Sequence, residues 1–259
     1  MASLRHKYLI LIASFLISAW LLIAQVLGST ILLLPCLLCF LVLACWSAVQ
    51  GITLPVLLFF LPFSPLLKTG QGATSFFTIA LLGVYVIAIV LGIRNVRILH
   101  LIPALCLMAL TMVVKTLHGY SFNNDYILLL AALFFLPFLT KEMEGKYDYY
   151  WLTLFFVSGI SLSAITAQFF IYSPNISRFI ETFNLAGAIR HAGYYGDPNF
   201  YSAHITAALS GVLVLLLTQR SRIRMVMLGL MAALLVYCGL MSLSKSFFLI
   251  AVCLLALWI

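Results

Sequence analysis

Charged side chains are scarce in this chain, and acidic ones are the scarcest. Only 8% of the 259 residues are charged, with 6 Asp and Glu against 14 Lys and Arg. Hydrophobic residues make up 65% of the sequence, and the mean hydropathy is +1.20. Because a soluble globular domain carries about 25% charged residues, this composition excludes that class and indicates an integral membrane protein.

The sequence also lacks the motifs by which proteins bind nucleotides, metals or nucleic acid. It contains no glycine-rich phosphate loop, no His or Cys spacing typical of a metal site and no nucleic-acid-binding module. We therefore expect no cofactor, no metal and no nucleic-acid partner. The formal net charge of +8 is better explained by basic residues between membrane spans.

All six cysteines lie inside apolar segments, which argues against a disulfide framework. Cys36 and Cys39 form a C-x-x-C, but leucine and phenylalanine adjoin it, whereas redox cysteines need an exposed and electropositive setting. We expect the thiols to pack as small hydrophobes.

Polar breaks divide the chain into about ten apolar segments, and a spanning helix needs roughly 20 such residues. We predict an all-α, polytopic transmembrane bundle that forms a single domain over residues 1–259. Pro55, Pro62 and Pro65 make a kinked or re-entrant element the alternative for the third segment. The predicted spans are 8–27, 30–48, 51–66, 75–93, 98–115, 125–140, 149–171, 200–218, 223–240 and 244–259.

The distribution of lysine and arginine predicts the orientation. With a cytoplasmic amino terminus, nine basic residues fall inside and five outside, and the inside residues cluster in short loops, where the positive-inside rule operates. The predicted inside residues are Arg5, Lys7, Arg94, Arg97, Lys141, Lys146, Arg220, Arg222 and Arg224, and the outside residues are Lys68, Lys115, Arg178, Arg190 and Lys245.

The longest outward connection in this topology is residues 173–199. Ile176, Phe179, Ile180 and Phe183 recur at helical spacing within it, and Ser173-Pro174 is typical of a helix start. We predict a short amphipathic helix in the outer membrane interface. The alternative is a connecting helix packed on the bundle.

Residues 190–201 form the most polar and turn-rich part of the chain. Asp197 or Asn199 is expected to cap the helix that follows, with Pro198 in its first turn. Arg190 lies close to Gly193, which would let the backbone approach a ligand, and a guanidinium binds two phosphate oxygens at once. The amides of the helix starting near Asn199 would add donors, so we predict an anion site on the outward side.

A second basic motif is expected on the same side. Ser242-Leu243-Ser244-Lys245-Ser246 opens the last apolar segment, and the topology places it with Arg190. A lysine at a membrane interface usually extends its amine into the water, but the serine-rich turn around Lys245 favours a functional role.

The run from Arg190 to Asn199, which ends Gly-Asp-Pro-Asn, and the later Ser-Leu-Ser-Lys-Ser resemble the superfamily of O-antigen ligases and O-antigen polymerases. Members show an Arg followed by a Gly and a Pro-Asn pair, and then a Ser-x-Ser-Arg motif. In motifs, the resemblance covers residues 186–250. It implies a metal-independent glycosyltransferase of the bacterial cytoplasmic membrane. Such an enzyme acts on the outward side and transfers or polymerises a glycan from a polyprenyl diphosphate carrier.

The resemblance also implies roles for individual residues. Arg190 and Lys245 would be catalytic, by binding and neutralising the diphosphate leaving group. Lys245 replaces the family's arginine and so loses the bidentate geometry. The implied binding set is Arg190, His191, Gly193, Asp197, Asn199, Ser244 and Lys245.

The family's general base is a histidine on an external loop after further spans, so we expect this chain to be the amino-terminal portion of a longer fold. The histidines predicted to face outward here are His118 and His191. Implied partners are the lipid-linked glycan, membrane lipids and other envelope assembly proteins. The alternatives are a transporter or flippase of an anionic or lipid-linked substrate, which predicts ionisable residues deep within spans, and a non-catalytic scaffold.

Overall fold

A computed structural model of the chain describes residues 4–69, 74–92, 102–117, 119, 146–180, 182–185 and 187–258. The described elements are nine α-helices, two short 3-10 helices and one two-stranded antiparallel sheet. In chain order they are α1 (Leu4–Leu27), α2 (Thr30–Val49), α3 (Thr53–Phe60), a 3-10 turn (Leu61–Phe63), α4 (Phe76–Gly92), α5 (Ile102–Leu117), α6 (Lys146–Phe169), a 3-10 turn (Ser177–Phe179), β1 (Thr182–Leu185), β2 (Ala188–His191), α7 (Pro198–Thr218), α8 (Arg222–Met241) and α9 (Lys245–Trp258).

Five of the described helices are long and apolar enough to cross a membrane, namely α1, α2, α6, α7 and α8. The remaining apolar helices are shorter and cover Thr53–Phe63, Phe76–Ile87, Leu105–Leu117 and Lys245–Leu254. The described part of the chain therefore supports a mostly helical membrane protein with five candidate spans, fewer than the ten predicted. The predicted span 125–140 lies outside the described residues, as do Arg94, Arg97, Lys141 and His118.

The predicted interfacial helix after α6 is wrong. Ser177–Phe179 forms only a 3-10 turn, and β1 and β2 pair as an antiparallel hairpin in which Phe183 pairs with Arg190 and Leu185 with Ala188. Gly187 lies between the two strands with a φ of 85°, a conformation that glycine adopts without strain. Ile176 and Ile180 are buried against the bundle and do not face the membrane interface.

Close backbone approach joins α3 to α6. The position that a Cβ would occupy at Gly159 is already filled by the backbone of Phe59, so glycine is needed where these helices meet. Small residues allow such contacts between membrane helices, where packing provides much of the association energy. The rings of Phe59 and Phe155 then meet edge-on beside this contact, with centroids 6.3 Å apart.

One end of the bundle collects the starts of α1, α6 and α8. The ring of Tyr8 on α1 meets the indole of Trp151 on α6 at 4.8 Å. Gln219, directly after α7, donates to the hydroxyl of Tyr150 on α6 at 3.1 Å. Arg220, Arg222 and Arg224 follow at once in the sequence, and we call this the triple-arginine end.

The opposite end collects the loops that carry the candidate site. Gly28 ends α1 with a φ of 62°, and Asn175, which follows α6, donates to the carbonyl of Val26 at 2.9 Å. Gln25 donates to the carbonyl of Leu66 at 2.6 Å. Arg190 contacts the turn after α8, and we call this the Arg190 end.

Candidate functional site

The segment from Ala192 to Tyr201 folds back into the bundle. Gly193 and Gly196 take φ values of 55° and 71°, which allow the two tight turns before α7. Ala192 and Tyr194 are buried, and the hydroxyl of Tyr194 donates to Thr166 Oγ1 at 3.3 Å. The middle of this polar segment is therefore anchored in the core, and Asn199 and Phe200 are its exposed residues.

Asp197 caps α7, as the sequence predicts. Its Oδ1 accepts from the amides of Asn199 at 2.6 Å and of Phe200 at 3.1 Å, with Pro198 in the first helical position. This carboxylate already binds the amides that were expected to serve as free anion donors. The start of α7 is therefore occupied by a carboxylate of the chain itself.

Gly193 has a packing role. A Cβ at this position would come within 2.8 Å of the ring of Tyr201, which is buried at the start of α7. The glycine thus lets the loop lie on an aromatic ring. The other role expected of Gly193, close approach of the backbone to a ligand, stays a prediction.

A tight turn connects α8 to α9. The Oγ of Ser242 donates to the carbonyl of Gly239 at 2.6 Å and accepts from the amide of Ser244 at 3.3 Å. Leu243 has a φ of 48°, a left-handed conformation that is uncommon for a residue other than glycine. Ser242 and Ser244 are buried within this turn.

Arg190 links the hairpin to the start of α7 and to the turn between α8 and α9. Its Nε donates to the carbonyl of Ser242 at 3.0 Å, and its Nη2 donates to Oδ1 of Asn199 at 3.2 Å. The hydroxyl of Ser244 donates to the same oxygen of Asn199 at 3.4 Å. The structure thus brings together three residues of the predicted binding set, Arg190, Asn199 and Ser244, from separate segments.

The guanidinium keeps donors for a ligand. Arginine carries five N–H donors, and the hydrogen bonds to Ser242 and Asn199 use two of them and leave three. The side chain is partly exposed, and within the described ranges no ion pair engages it. Arg190 is therefore a cation that hydrogen bonds hold in a fixed position.

Lys245 stands next to this cluster as the first residue of α9. Its side chain is exposed, and the described part of the chain provides no polar partner for it. The Oγ atoms of Ser244 and Ser246 are 2.8 Å apart. The amides of Lys245, Ser246 and Phe247 begin a helix and have no acceptor among the described residues, so α9 offers the donors that α7 lacks.

His191 is separated from this cluster by the alternation of the strand. Adjacent residues on β2 point to opposite faces, so His191 and Arg190 face different ways. His191 is half-buried, and burial lowers its pKa below the ordinary value of 6.5. It is therefore harder to protonate than an exposed histidine, but the described geometry does not place it with the cations.

Sequence reasoning missed the contact between Tyr195 and His204. Their ring centroids are 4.4 Å apart, and Nδ1 of His204 lies 2.8 Å from the carbonyl of Phe200. Burial raises the pKa of the Tyr195 hydroxyl, whose oxygen has no partner among the described residues. The only sequence signal was the spacing of four between Phe200 and His204, which places them on one face of a helix.

The arrangement at the Arg190 end combines a fixed guanidinium with hydroxyl groups and backbone amides. Within the described residues no group of three or more His, Cys, Asp or Glu side chains could hold a metal ion. Comparisons with protein families, curated proteins and solved structures found no match for this chain. The candidate function therefore depends on the cations, hydroxyls and amides at the Arg190 end.

Proposed function

We propose that this protein is a membrane glycosyltransferase that binds a polyprenyl diphosphate-linked glycan at the Arg190 end and transfers or polymerises the glycan. The observation that carries the proposal is the fixed guanidinium of Arg190, with three N–H donors left, beside Lys245 and the open amides of α9. The motifs that resemble O-antigen ligases and polymerases lie in the same two segments.

A diphosphate suits this site by charge and by shape. The site combines two cations with a helix start, and the negative charge of a diphosphate leaving group increases as the bond to the sugar breaks. A fixed guanidinium can bind two oxygens in parallel, whereas the ammonium of Lys245 acts as a point charge. Arg190 would orient the diphosphate, and Lys245 would neutralise it.

The proposed reaction is an inverting displacement. The acceptor hydroxyl oxygen attacks the anomeric carbon, and the carbon–oxygen bond to the diphosphate breaks. The electron pair stays with the departing diphosphate, and a base takes the hydroxyl proton. Of these tasks, the Arg190 cluster serves the leaving group.

The proposal places the Arg190 end outside the bacterial cytoplasmic membrane and the amino terminus in the cytoplasm. It rests on the positive-inside rule, since Arg220, Arg222 and Arg224 would then be cytoplasmic. Lipid-linked glycans are the proposed substrates, and other envelope glycan assembly proteins are the proposed partners.

The first experiment measures binding of polyprenyl diphosphate to the purified protein in nanodiscs, with polyprenyl monophosphate as the matched ligand. Arg190→Ala should weaken diphosphate binding by about 10- to 100-fold, because it removes charge-assisted hydrogen bonds. Arg178→Ala is the matched control: this exposed arginine stacks on Phe179 at 4.8 Å, outside the cluster. An equal loss for both variants would contradict a specific site.

Lys245→Arg tests the same site through an expected gain in diphosphate affinity. It keeps the charge and adds a planar fork, so diphosphate binding should tighten, whereas Lys245→Ala should weaken it. A variant that merely unfolds cannot produce tighter binding. Weaker binding by Lys245→Arg, with unfolding unchanged, would remove Lys245 from the site.

The second experiment tests transfer. The protein is supplied with a polyprenyl diphosphate-linked glycan and a lipid-linked acceptor, and the length of the lipid-linked product is measured. The unaltered protein should extend the acceptor, and Arg190→Ala should reduce the rate by about 100-fold. Binding without any extension would refute the transferase proposal while leaving the anion site in place.

A further inference from the structure

Two cavities open beside the triple-arginine end, among α1, α6, α7 and α8. Their volumes are about 430 Å³ and about 890 Å³. Tyr8, Tyr150, Leu215, Gln219 and Arg224 line both of them, so the two cavities adjoin at these side chains and we treat them together as one groove. We call it the arginine groove.

The inner part of the groove is apolar. Phe15, Leu154, Leu162 and Met231 are among its lining side chains. Along α6 the lining extends from Tyr150 to Ile165, a distance of about 22 Å at the rise of an α-helix. Half of a bilayer's hydrocarbon core is about 15 Å thick, so the groove is long enough for an acyl chain of one leaflet.

The mouth of the groove is basic. The exposed side chains of Arg220 and Arg224 line it, and the described lining residues of both cavities include no carboxylate. Tyr149 and Trp151 stand beside these arginines, as aromatic residues do at a membrane–water interface. The mouth therefore lies at the depth of the lipid headgroups and is positively charged.

We propose that the arginine groove binds one anionic phospholipid. Its phosphate lies against Arg220 and Arg224, and one acyl chain runs along α6 towards Ile165. Guanidinium groups bind phosphate oxygens in pairs, and the apolar wall excludes a purely water-soluble anion from the inner part. The site is at the opposite end of the bundle from Arg190 and does not depend on the proposed transferase activity.

Ser161 provides an internal test of what fills the groove. Its hydroxyl lines the inner part, is buried and has no hydrogen-bond partner among the described residues. A saturated acyl chain cannot form a hydrogen bond with this hydroxyl. Ser161→Ala should therefore bind the lipid as tightly as the unaltered protein, or more tightly. Weaker binding would mean that the occupant hydrogen-bonds to Ser161, and would overturn the placement of the chain.

The headgroup is tested by native mass spectrometry of the full chain released from nanodiscs. Phosphatidylglycerol and phosphatidylcholine with identical acyl chains are compared, with inorganic phosphate as a competitor. We expect one bound phosphatidylglycerol and a loss of about tenfold in its retention for Arg220→Ala/Arg224→Ala. Arg222→Ala is the matched control because Arg222 is exposed on the same helix start and lines neither cavity.

The outcomes of this comparison separate the possible occupants. An equal loss in Arg222→Ala would show general surface attraction and overturn the site. Equal retention of phosphatidylcholine would overturn the role of the arginines. If inorganic phosphate displaced the lipid at a concentration comparable to that of the lipid, the acyl chain would add nothing to binding. That result would overturn a lipid occupant in favour of a free anion.

The acyl chain is tested by filling the groove. Met231→Trp adds bulk to the lining and should release the lipid, whereas Leu230→Trp adds the same bulk to the exposed neighbour on α8 and should not. Retention in Met231→Trp would overturn the proposed chain path. A dimer that Met231→Trp abolishes would also overturn it, because the occupant would then be a second copy of this chain.

Discussion

The ring of Phe247, in the first turn of α9, lies directly against the Cα of Gly239 in the last turn of α8 and leaves no room for a Cβ. Both residues are buried. This contact holds the start of α9 against α8, so that Ser244 and Lys245 stand beside Arg190. The position of the second cation of the candidate site therefore depends on a glycine four residues before the turn's Leu243.

Gly239→Ala is expected to destabilise the protein and to weaken binding of polyprenyl diphosphate. The added methyl group must displace the Phe247 ring, and overpacking of this kind costs about 1–3 kcal/mol. Because the displaced ring belongs to α9, Lys245 should move with it. Denaturant unfolding in detergent and the lipid-binding measurement check the two effects.

Gly229→Ala is the matched control on the same helix. A Cβ at Gly229 meets no atom within 4 Å, so the alanine should be neutral or should stabilise by up to about 1 kcal/mol through helix propensity. If both variants unfolded at the same denaturant concentration, the fit of Phe247 against Gly239 would make no difference to stability.

The long helices could be predicted from sequence because their length is set by the membrane. Apolar runs of about 20 residues gave α1, α2, α6, α7 and α8 close to their observed bounds. The cap at Asp197 was predictable too, since an Asp before Pro at the head of an apolar run is a local signal. These features depend on few contacts distant in sequence.

The pairing of β1 with β2 was missed because a short apolar pattern fits a helix as well as a strand. Phe183 pairs with Arg190 across a connection that Gly187 allows, and Ile180 is buried instead of facing lipid. The contact between Arg190 and Ser242 joins residues 52 apart in sequence. Such contacts depend on the packing of whole segments, which composition and spacing do not encode.

Asp197→Asn is expected to strengthen diphosphate binding by about threefold with little change in stability. The asparagine oxygen can still accept from the amides of Asn199 and Phe200, but the negative charge near Arg190 is removed. Isothermal titration with polyprenyl diphosphate in nanodiscs measures the change in affinity.

Comparing Asp197→Ala with Asp197→Asn separates the effect of the helix cap from that of the negative charge. Asp197→Ala removes both, so it should cost about 1 kcal/mol of stability in addition to any gain in affinity. Weaker binding by Asp197→Asn at unchanged stability would indicate that Asp197 contacts the ligand directly, as its place in the sequence-predicted binding set requires.

His191 is expected to make stability depend on pH just below neutrality. Burial lowers its pKa in the folded protein below the ordinary value of 6.5, so the unfolded chain binds a proton first as the pH falls. Stability should therefore be complete above pH 6.5 and should decline below it, until the folded-state pKa is passed. His191→Asn removes the titrating group, and thermal unfolding between about pH 7.5 and pH 5.5 should then lose this part of the slope. An identical slope in the variant would assign the pH dependence to other groups and would show that His191 is equally easy to protonate in the folded and unfolded chain.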